Sequence, residues 1–357
     1  MTPFPPADFV DAAATGLLVL TVVALALTAL VVVVHVAADR AESRRAERWA
    51  RWERALLDAL VGERPPSSLG PLVGDGERGD YFQLLIAYAL RLGGESRAVF
   101  AEAAAPHLDT ARQWLCDRRA DRRALAAHLF GLVGSVPDLH RLVPLLHDPA
   151  PEVGMITARA LGRSRDLRYL RPVVGALDGF EAWGSPAVAS ALTLFGIEAG
   201  PTLEAGLASP ELSESARTAC AEALRRLGYV PAGDTAAALL SESEPPREVQ
   251  AAALRLLRDV GGPGHADAAR ALLHHGDEVV RLHAISALSA LSIRPDDAAR
   301  IEHALADPSP WVALRAARGL VEAGRTAPLQ AIAEGDAPCA GVARQALAEA
   351  GFLAPAT

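Results

Sequence analysis

The chain contains no lysine and no asparagine, so every basic side chain other than histidine is an arginine. Aromatic residues make up only 5% of the sequence although hydrophobic residues make up 51%, so the apolar content is mostly Ala, Leu and Val. This composition favours close-packed helices over strands. The exclusive use of arginine suggests a GC-rich bacterial genome and carries no information about function.

Cysteine and net positive charge are lacking as well. Cys116, Cys220 and Cys339 lie far apart, each within a helical pattern, and no CxxC pair occurs. This spacing implies no disulfide framework and predicts buried thiols in a reducing compartment. The formal net charge of −8 argues against nucleic acid as a partner, because nucleic-acid binding needs a basic surface.

Catalytic and cofactor-binding motifs are also missing from the sequence. It has no P-loop, no dinucleotide fingerprint and no nucleophile motif. The nearest approach to a metal cluster is the group His265, His274, His275 and His283. The adjacent pair in this group would point about 100° apart on a helix and could not easily share a metal. We therefore predict no catalytic residue, no cofactor and no metal site.

One segment near the N terminus is apolar on every side. From Ala12 to Ala38 there is no Asp, Glu or Arg, and His35 is the only side chain that can carry a charge. As a helix the run spans about 40 Å, more than the roughly 30 Å hydrocarbon core of a bilayer. A cleaved signal peptide is the alternative, but no basic residue precedes the run, which is also longer than a signal core. We predict a transmembrane helix at 12–38.

Arginines flank this helix only on its C-terminal side. They are Arg40, Arg44, Arg45, Arg48, Arg51 and Arg54. Because a basic flank stays in the cytoplasm, residues 1–11 are expected to form a short extracytoplasmic N terminus and the rest of the chain to be cytoplasmic. The predicted location is the inner (plasma) membrane, with a single pass.

The two segments after the transmembrane helix have different compositions. Residues 39–61 carry arginines on one side and tryptophans on the other, which predicts a basic amphipathic juxtamembrane helix. The alternative is that this basic stretch only stops the anchor from sliding through the bilayer. Residues 62–80 are rich in Gly and Pro and predict a flexible linker. The predicted membrane-surface residues are Arg40, Arg44, Arg45, Arg48, Trp49, Arg51 and Trp52.

One pattern recurs over residues 81–357. A turn with Asp, Pro or Gly precedes an Ala- and Leu-rich helix, which ends in Gly and is followed by a second helix. Such a sustained period indicates a repeat architecture, in which stacked helix pairs share one core. The terminal glycines predict left-handed caps. The first helices end, at intervals of 27–34 residues, at Gly134, Gly162, Gly196, Gly228, Gly261, Ser292, Gly324 and Gly351.

Two phrases, LLHDPAPEVGMITARALG and ALADPSPWVALRAARGL, resemble bacterial HEAT repeats of the phycobilisome-lyase-like type. The resemblance covers roughly residues 114–351, although the usual Val-Arg pair is kept only at Val280-Arg281. It implies an all-α fold, an α-solenoid of helix pairs whose second helices line the concave side, with 81–110 as an atypical cap. HEAT-like deoxyhypusine hydroxylases use His-Glu dipeptides as iron ligands, and no His-Glu occurs here.

A broad, rigid surface of stacked helices suits the binding of another protein. We expect a non-catalytic, membrane-anchored scaffold or adaptor that binds a partner protein at the cytoplasmic face of the membrane. HEAT proteins of this layout suggest a membrane enzyme as the partner, such as an envelope or exopolysaccharide glycosyltransferase. The alternative function is a HEAT-like lyase or another enzyme with a pocket in its groove.

The predicted partner contacts lie on the second helix at 167–177. They are Arg168, Tyr169 and Arg171, because Arg and Tyr are enriched at protein interfaces. An ordinary solvated helix face is the alternative interpretation of the same residues.

The flanking charges predict the topology. A reporter that is active only in the cytoplasm, fused after Thr357, should be active, and a reporter that requires export should be silent at the same position. The reverse pattern of activity would contradict the cytoplasmic location of the repeats.

Overall fold

The structure, a computed structural model, describes residues 7–92, 96–242, 245–292 and 294–352. Throughout these ranges every regular element is a helix, which confirms the all-α prediction. The chain divides into two compact units, Met1–Asp109 and Thr110–Thr357. Most of the predicted extracytoplasmic segment, residues 1–6, lies outside the described residues.

The first unit is built on one long helix, α1 (Ala7–Leu60), followed by α2 (Arg78–Leu92) and α3 (Arg97–Ala104). The described side chains of α1 between Leu17 and Val36 are exposed. An 18-residue window of this helix has a mean hydropathy of 3.1 and no buried residue, so its length and composition suffice to cross a membrane.

The later part of α1 belongs to the core of the first unit. Trp52 and Leu56 are fully buried. The Trp52 ring meets the Tyr81 ring edge-on, with 5.7 Å between their centroids, and its indole N–H donates to the carbonyl oxygen of Leu72 at 3.1 Å. A single helix therefore carries both the exposed apolar stretch and part of a folded core.

Residues 62–80 do not form the flexible linker predicted from their composition. They fold into two short 3-10 helices, Pro66–Leu72 and Asp75–Glu77, and the first residues of α2. Leu69 is fully buried, and a Cβ built on Gly70 would lie 2.7 Å from the Pro106 ring. The linker prediction is wrong because Gly and Pro disfavour an α-helix but allow tight 3-10 turns that can pack. The unit boundary accordingly lies at 109, not at 80.

The second unit consists of alternating longer and shorter helices. After α4 (Leu108–Trp114), which crosses the unit boundary, the first helices of the pairs are α5 (Ala120–Val133), α7 (Pro151–Arg163), α9 (Gly184–Leu192), α11 (Glu214–Leu227), α13 (Arg247–Val260), α15 (Glu278–Leu291), α17 (Pro310–Glu322) and α19 (Ala340–Glu349). The second helices are α6 (Val136–His140), α8 (Leu170–Gly175), α10 (Gly200–Ala208), α12 (Ala232–Glu242), α14 (Ala266–Ala271), α16 (Pro295–His303) and α18 (Thr326–Glu334).

The predicted helix ends agree with the structure, but the predicted caps agree only in part. Seven of the eight first helices end within two residues of the predicted position, and a 3-10 turn follows α9 up to Gly196. The left-handed conformation predicted at these ends is present at Gly228, where φ is 63°. At Gly261 φ is −72°, and a Cβ there would lie 2.4 Å from the Leu257 carbonyl oxygen. Glycine is needed at that end for close approach and not for a positive φ.

The first helices stack directly on one another and form one layer, and the second helices form the other. The α5–α7 contact shows how close the stacking is, because a Cβ built on Gly131 would lie 2.5 Å from the Cβ of Ala160. Small residues at these crossings allow such an approach, and Leu161 and Leu288 fill the seam with no exposed surface.

Bidentate ion pairs join the turns of successive repeats. Arg123 donates from Nε and Nη2 to the Asp148 carboxylate at 2.7 Å each, and Arg281 binds Asp307 in the same way at 2.8 and 2.9 Å. Each arginine is the fourth residue of its helix, and each aspartate opens the next Asp-Pro turn. Burial acts to raise the pKa of Asp148, but the hydrogen bonds from Arg123 and from a backbone N–H outweigh it and hold this pKa low.

A matching set of ion pairs joins α4 to the first of the second helices and joins one later second helix to the next. Arg112 of α4 binds Asp138 of α6 at 2.8 Å, and Arg270 of α14 binds Asp297 of α16 at 2.6 Å. Both aspartates are buried, and each accepts a further hydrogen bond from a serine in the turn that precedes its own helix, Ser135 for Asp138 and Ser292 for Asp297. The hydrogen bonds from Arg270 are the main reason that the pKa of Asp297 falls to about 2. These charge-assisted bonds fix the alignment of each repeat on the next.

The buried seam predicts a difference between two kinds of leucine. Leu161→Ala or Leu288→Ala should lower the free energy of unfolding by about 2–5 kcal/mol, because each change leaves a cavity in a closed core. Leu167→Ala is the control, since this side chain is 43% exposed, and it should cost about 0.5 kcal/mol or less. Denaturant unfolding followed by circular dichroism measures all three. Equal midpoints for the core variants and the control would contradict the assigned seam.

Candidate partner-binding surfaces

The predicted contact residues at 167–177 do not form one exposed group. A 3-10 turn, Leu167–Tyr169, leads into α8, and the Asp166 side chain caps it by accepting from the backbone N–H of Arg168 at 3.1 Å. Tyr169 is only 4% exposed, and its hydroxyl donates to the carbonyl oxygen of Val136 at 3.3 Å. Tyr169 is therefore a core residue, contrary to the prediction that it contacts a partner.

The two arginines of this group are exposed, with different surroundings. The Arg168 guanidinium pairs with Asp166 at 2.5 Å and lies 6.0 Å from the centre of the Tyr169 ring. Arg171 is exposed, and no hydrogen bond or ion pair joins it to another described residue. Their role as partner contacts stays a prediction.

The predicted membrane-surface residues divide between solvent and the first unit. Arg45 pairs with Asp80 at 2.9 Å and Arg48 lies 3.3 Å from Glu77, so these two arginines are partly neutralised within the unit. The buried Trp52 cannot reach a membrane surface, and this part of the prediction is wrong. An amphipathic pattern indicates that the apolar face of a helix is buried, but it does not show whether lipid or protein buries that face. The side chains of Arg40, Arg44 and Arg51 are exposed and that of Trp49 is half-buried.

A cationic group that the sequence analysis missed lies in the first-helix layer. Beyond the first turn of α7, every residue is buried except Ile156, Arg159 and Arg163, which share one edge of the helix. His128 of the neighbouring α5 is near both arginines, which help to lower its pKa. We call the three basic residues, His128, Arg159 and Arg163, the cationic edge.

The electrostatics of the cationic edge are unfavourable. Burial first, and the nearby Arg163 and Arg159 second, lower the pKa of His128 to about 4, and its Nε2 is buried without a hydrogen-bond partner. Burial and the charge of Arg159 likewise lower the pKa of Arg163. The lowered pKa values of His128 and Arg163 show that positive charge is poorly compensated at this edge.

A second basic group lies further along the same layer. Arg255 of α13 is 3.3 Å from Nε2 of His283 on α15, whose pKa falls to about 4 through burial and then through Arg255, Arg258 and Arg315. This group is better balanced, because Arg315 of α17 pairs with Glu322 at 2.5 Å and Glu248 also acts on His283.

The histidines and cysteines take separate positions. His265 Nε2 is 2.8 Å from Asp234, and His275 Nδ1 accepts from the backbone N–H of Asp277. Among the described residues no group of three or more His, Cys, Asp or Glu could hold a metal ion. The cysteines are free: Cys116 is exposed, Cys220 buried and Cys339 half-buried.

Comparison with known families identifies the repeat type. A family model described as HEAT repeats matches residues 234–321, which run from α12 into α17. This part of the chain therefore consists of HEAT repeats, as the sequence resemblance predicted. No curated protein matches the chain.

Several solved structures are similar at low identity. Human deoxyhypusine hydroxylase in complex with glycerol is 16% identical with a TM-score of 0.33, over 78% of this chain and 98% of that one. A mutant of Kap121p is 13% identical with a TM-score of 0.47, and the match spans 84% of this chain and 39% of Kap121p. An engineered protein is 19% identical with a TM-score of 0.38, over 86% and 94%.

The two shielded histidines predict how stability depends on pH. In the folded chain the pKa values of His128 and His283 are about 4, whereas an unfolded histidine has a pKa of about 6.5. Below pH 6.5 the unfolded state takes up protons that the folded state does not. The free energy of unfolding should therefore be independent of these two histidines above pH 6.5. It should decrease as the pH falls from 6.5 towards 4.

Denaturant unfolding at several pH values between about 4.5 and 7.5 measures the slope of the free energy of unfolding against pH. His128→Gln and His283→Gln should each flatten it, and His303→Gln, a change at an exposed histidine, should not. An unaltered slope in both core variants would contradict the assignment.

Proposed function

We propose that this protein is a non-catalytic scaffold, anchored by the apolar part of α1, that holds a partner protein at the cytoplasmic face of the inner membrane. The single observation that carries the proposal is the continuity of α1. The described side chains of its apolar stretch are exposed, and the same helix goes on to form part of the core of the first unit. A soluble protein rarely leaves so large an apolar surface uncovered.

The orientation follows from charge. Arginines follow the apolar stretch from Arg40 onward and none precedes it, which favours a cytoplasmic location for both folded units. Within that compartment the partner is proposed to be a membrane protein, because the anchor confines the scaffold to the bilayer. A membrane enzyme such as an envelope or exopolysaccharide glycosyltransferase is the candidate that HEAT proteins of this layout suggest.

Protein binding is supported by the repeats themselves. Stacked helix pairs aligned by repeated Arg–Asp bonds give a long, preorganised surface, and preorganisation lowers the entropic cost of binding a large partner. Two buried carboxylates of the second unit, Asp138 and Asp297, are used in such repeat-to-repeat bonds, which supports a structural role for them.

Membrane fractionation tests the anchor. The full chain should sediment with membranes and resist alkaline extraction, whereas a variant lacking residues 12–38 should be soluble and keep the Trp52–Tyr81 contact. The matched control is Arg40→Gln with Arg44→Gln, which weakens any adhesion through surface charge but keeps the apolar stretch. This control should stay in the membrane fraction.

The partner is tested on the same variants. Crosslinking in intact cells, followed by purification from solubilised membranes, should recover the same membrane protein with the full chain and not with the variant lacking 12–38. If that variant stays in the membrane fraction, the apolar stretch is not the anchor. If it is soluble and still recovers the partner equally well, anchoring does not serve partner binding.

A further inference from the structure

The outward edge of α7 differs from every other first helix in its charge pairing. Among the described residues of the first helices, Arg159 and Arg163 are the two arginines with no hydrogen bond or ion pair to the rest of the protein. Arginines elsewhere in this layer have partners. Examples are Arg123 with Asp148, Arg225 with Glu222, Arg281 with Asp307 and Arg318 with Glu349.

The position of these two arginines makes the missing partner costly. They are four residues apart on one helix face, where like charges repel, and both are half-buried between neighbouring helices. The adjacent His128 supplies no counter-charge, because an imidazole is either positive or, as here near pH 7, neutral. A desolvated cation without a counter-charge destabilises a fold.

The absence of a partner is not explained by a shortage of acidic residues. The chain carries 43 Asp and Glu against 35 arginines, and carboxylates neutralise most other arginines of this layer. An uncompensated charge that a fold keeps despite its cost is characteristic of a site that is completed by a ligand. The required ligand is an anion that offers acceptors to two guanidinium groups one helical turn apart.

We propose that the cationic edge is the docking site for an acidic segment of the partner protein, whose carboxylates pair with Arg159 and Arg163. The proposal rests on the function proposed above. Two guanidinium groups one turn apart match two acidic side chains one turn apart on a partner helix. Ile156 lies on the same edge and is half-exposed, which gives the apolar contact that a protein segment uses and a free phosphate does not.

The structure supports a direct binding test with the full chain in micelles of a neutral detergent. The probe is a fluorescent helical peptide with Glu at every fourth position, and the same peptide with Gln in place of Glu is its control. Arg159→Gln and Arg163→Gln should each weaken binding of the Glu peptide about tenfold or more, because each removes a charge-assisted pair. The double variant should bind no better than the chain binds the Gln peptide.

Two further variants separate recognition from folding. Arg163→Lys keeps the charge but loses the planar fork, so its affinity should fall between that of the unaltered chain and that of Arg163→Gln. Arg141→Gln, a change at an exposed arginine of the same unit, should bind like the unaltered chain. The Tm of the free chain should be unchanged or higher in Arg159→Gln and Arg163→Gln, because an uncompensated charge is removed. A merely structural role for these arginines would lower it.

Several outcomes would overturn the inference. One is that the unaltered chain does not distinguish the Glu peptide from the Gln peptide. Another is that the double variant binds the Glu peptide as Arg141→Gln does. A third is that the double variant keeps its affinity for the peptide but loses binding to phosphatidylglycerol vesicles or to inorganic phosphate, since the edge would then recognise a phosphate group.

This test is independent of membrane fractionation. If the chain is anchored but the cationic edge does not distinguish the peptides, the inference fails and the scaffold proposal remains. If the edge binds the Glu peptide but the chain is soluble, the anchor fails instead.

Discussion

The first helices from α11 to α17 are each enclosed by the first helices before and after them and by the second helix of the preceding pair. Only a narrow edge of each meets solvent, and on α7 the corresponding edge consists, after the first turn, of Ile156, Arg159 and Arg163. This enclosure explains the composition of the chain. Ala and Gly allow the helices to approach, as at Gly131, and few positions remain where a larger polar residue can be placed without desolvation.

Polar contacts supply the alignment that apolar stacking alone does not. Hydrophobic contact is not directional, so two Ala-rich helices could slide along each other at little cost. The bidentate bonds of Arg123 with Asp148 and of Arg281 with Asp307 allow one alignment only. Arginine thus has two roles in this layer. The arginines that hold repeats together have a carboxylate in the next turn, and those of the cationic edge do not.

The fold was largely predictable from sequence, and the sites were not. The spacing of the terminal glycines located the first helices, because a solenoid repeats the same local backbone arrangement in each unit. Gly228 and Gly324 lie at the left-handed positions that this arrangement requires. Composition failed at residues 62–80, since it excludes an α-helix but does not reveal packing. The pattern around Trp52 and Tyr169 indicated that these side chains are buried. It did not indicate that they are buried by the rest of this protein and not by a membrane or a partner. The state of Arg159 and Arg163 depends on which side chains of other helices reach them, which no local pattern contains.

The continuity of α1 has a mechanical consequence. A helix of 54 residues is about 80 Å long, and between its apolar stretch and Trp52 there is no break that could act as a joint. In the proposed orientation the first unit is therefore attached to the bilayer by a stiff lever. A change in bilayer thickness that tilts the apolar stretch would swing the attached unit through the same angle. The height and direction at which this unit meets other proteins would thus follow the thickness of the membrane.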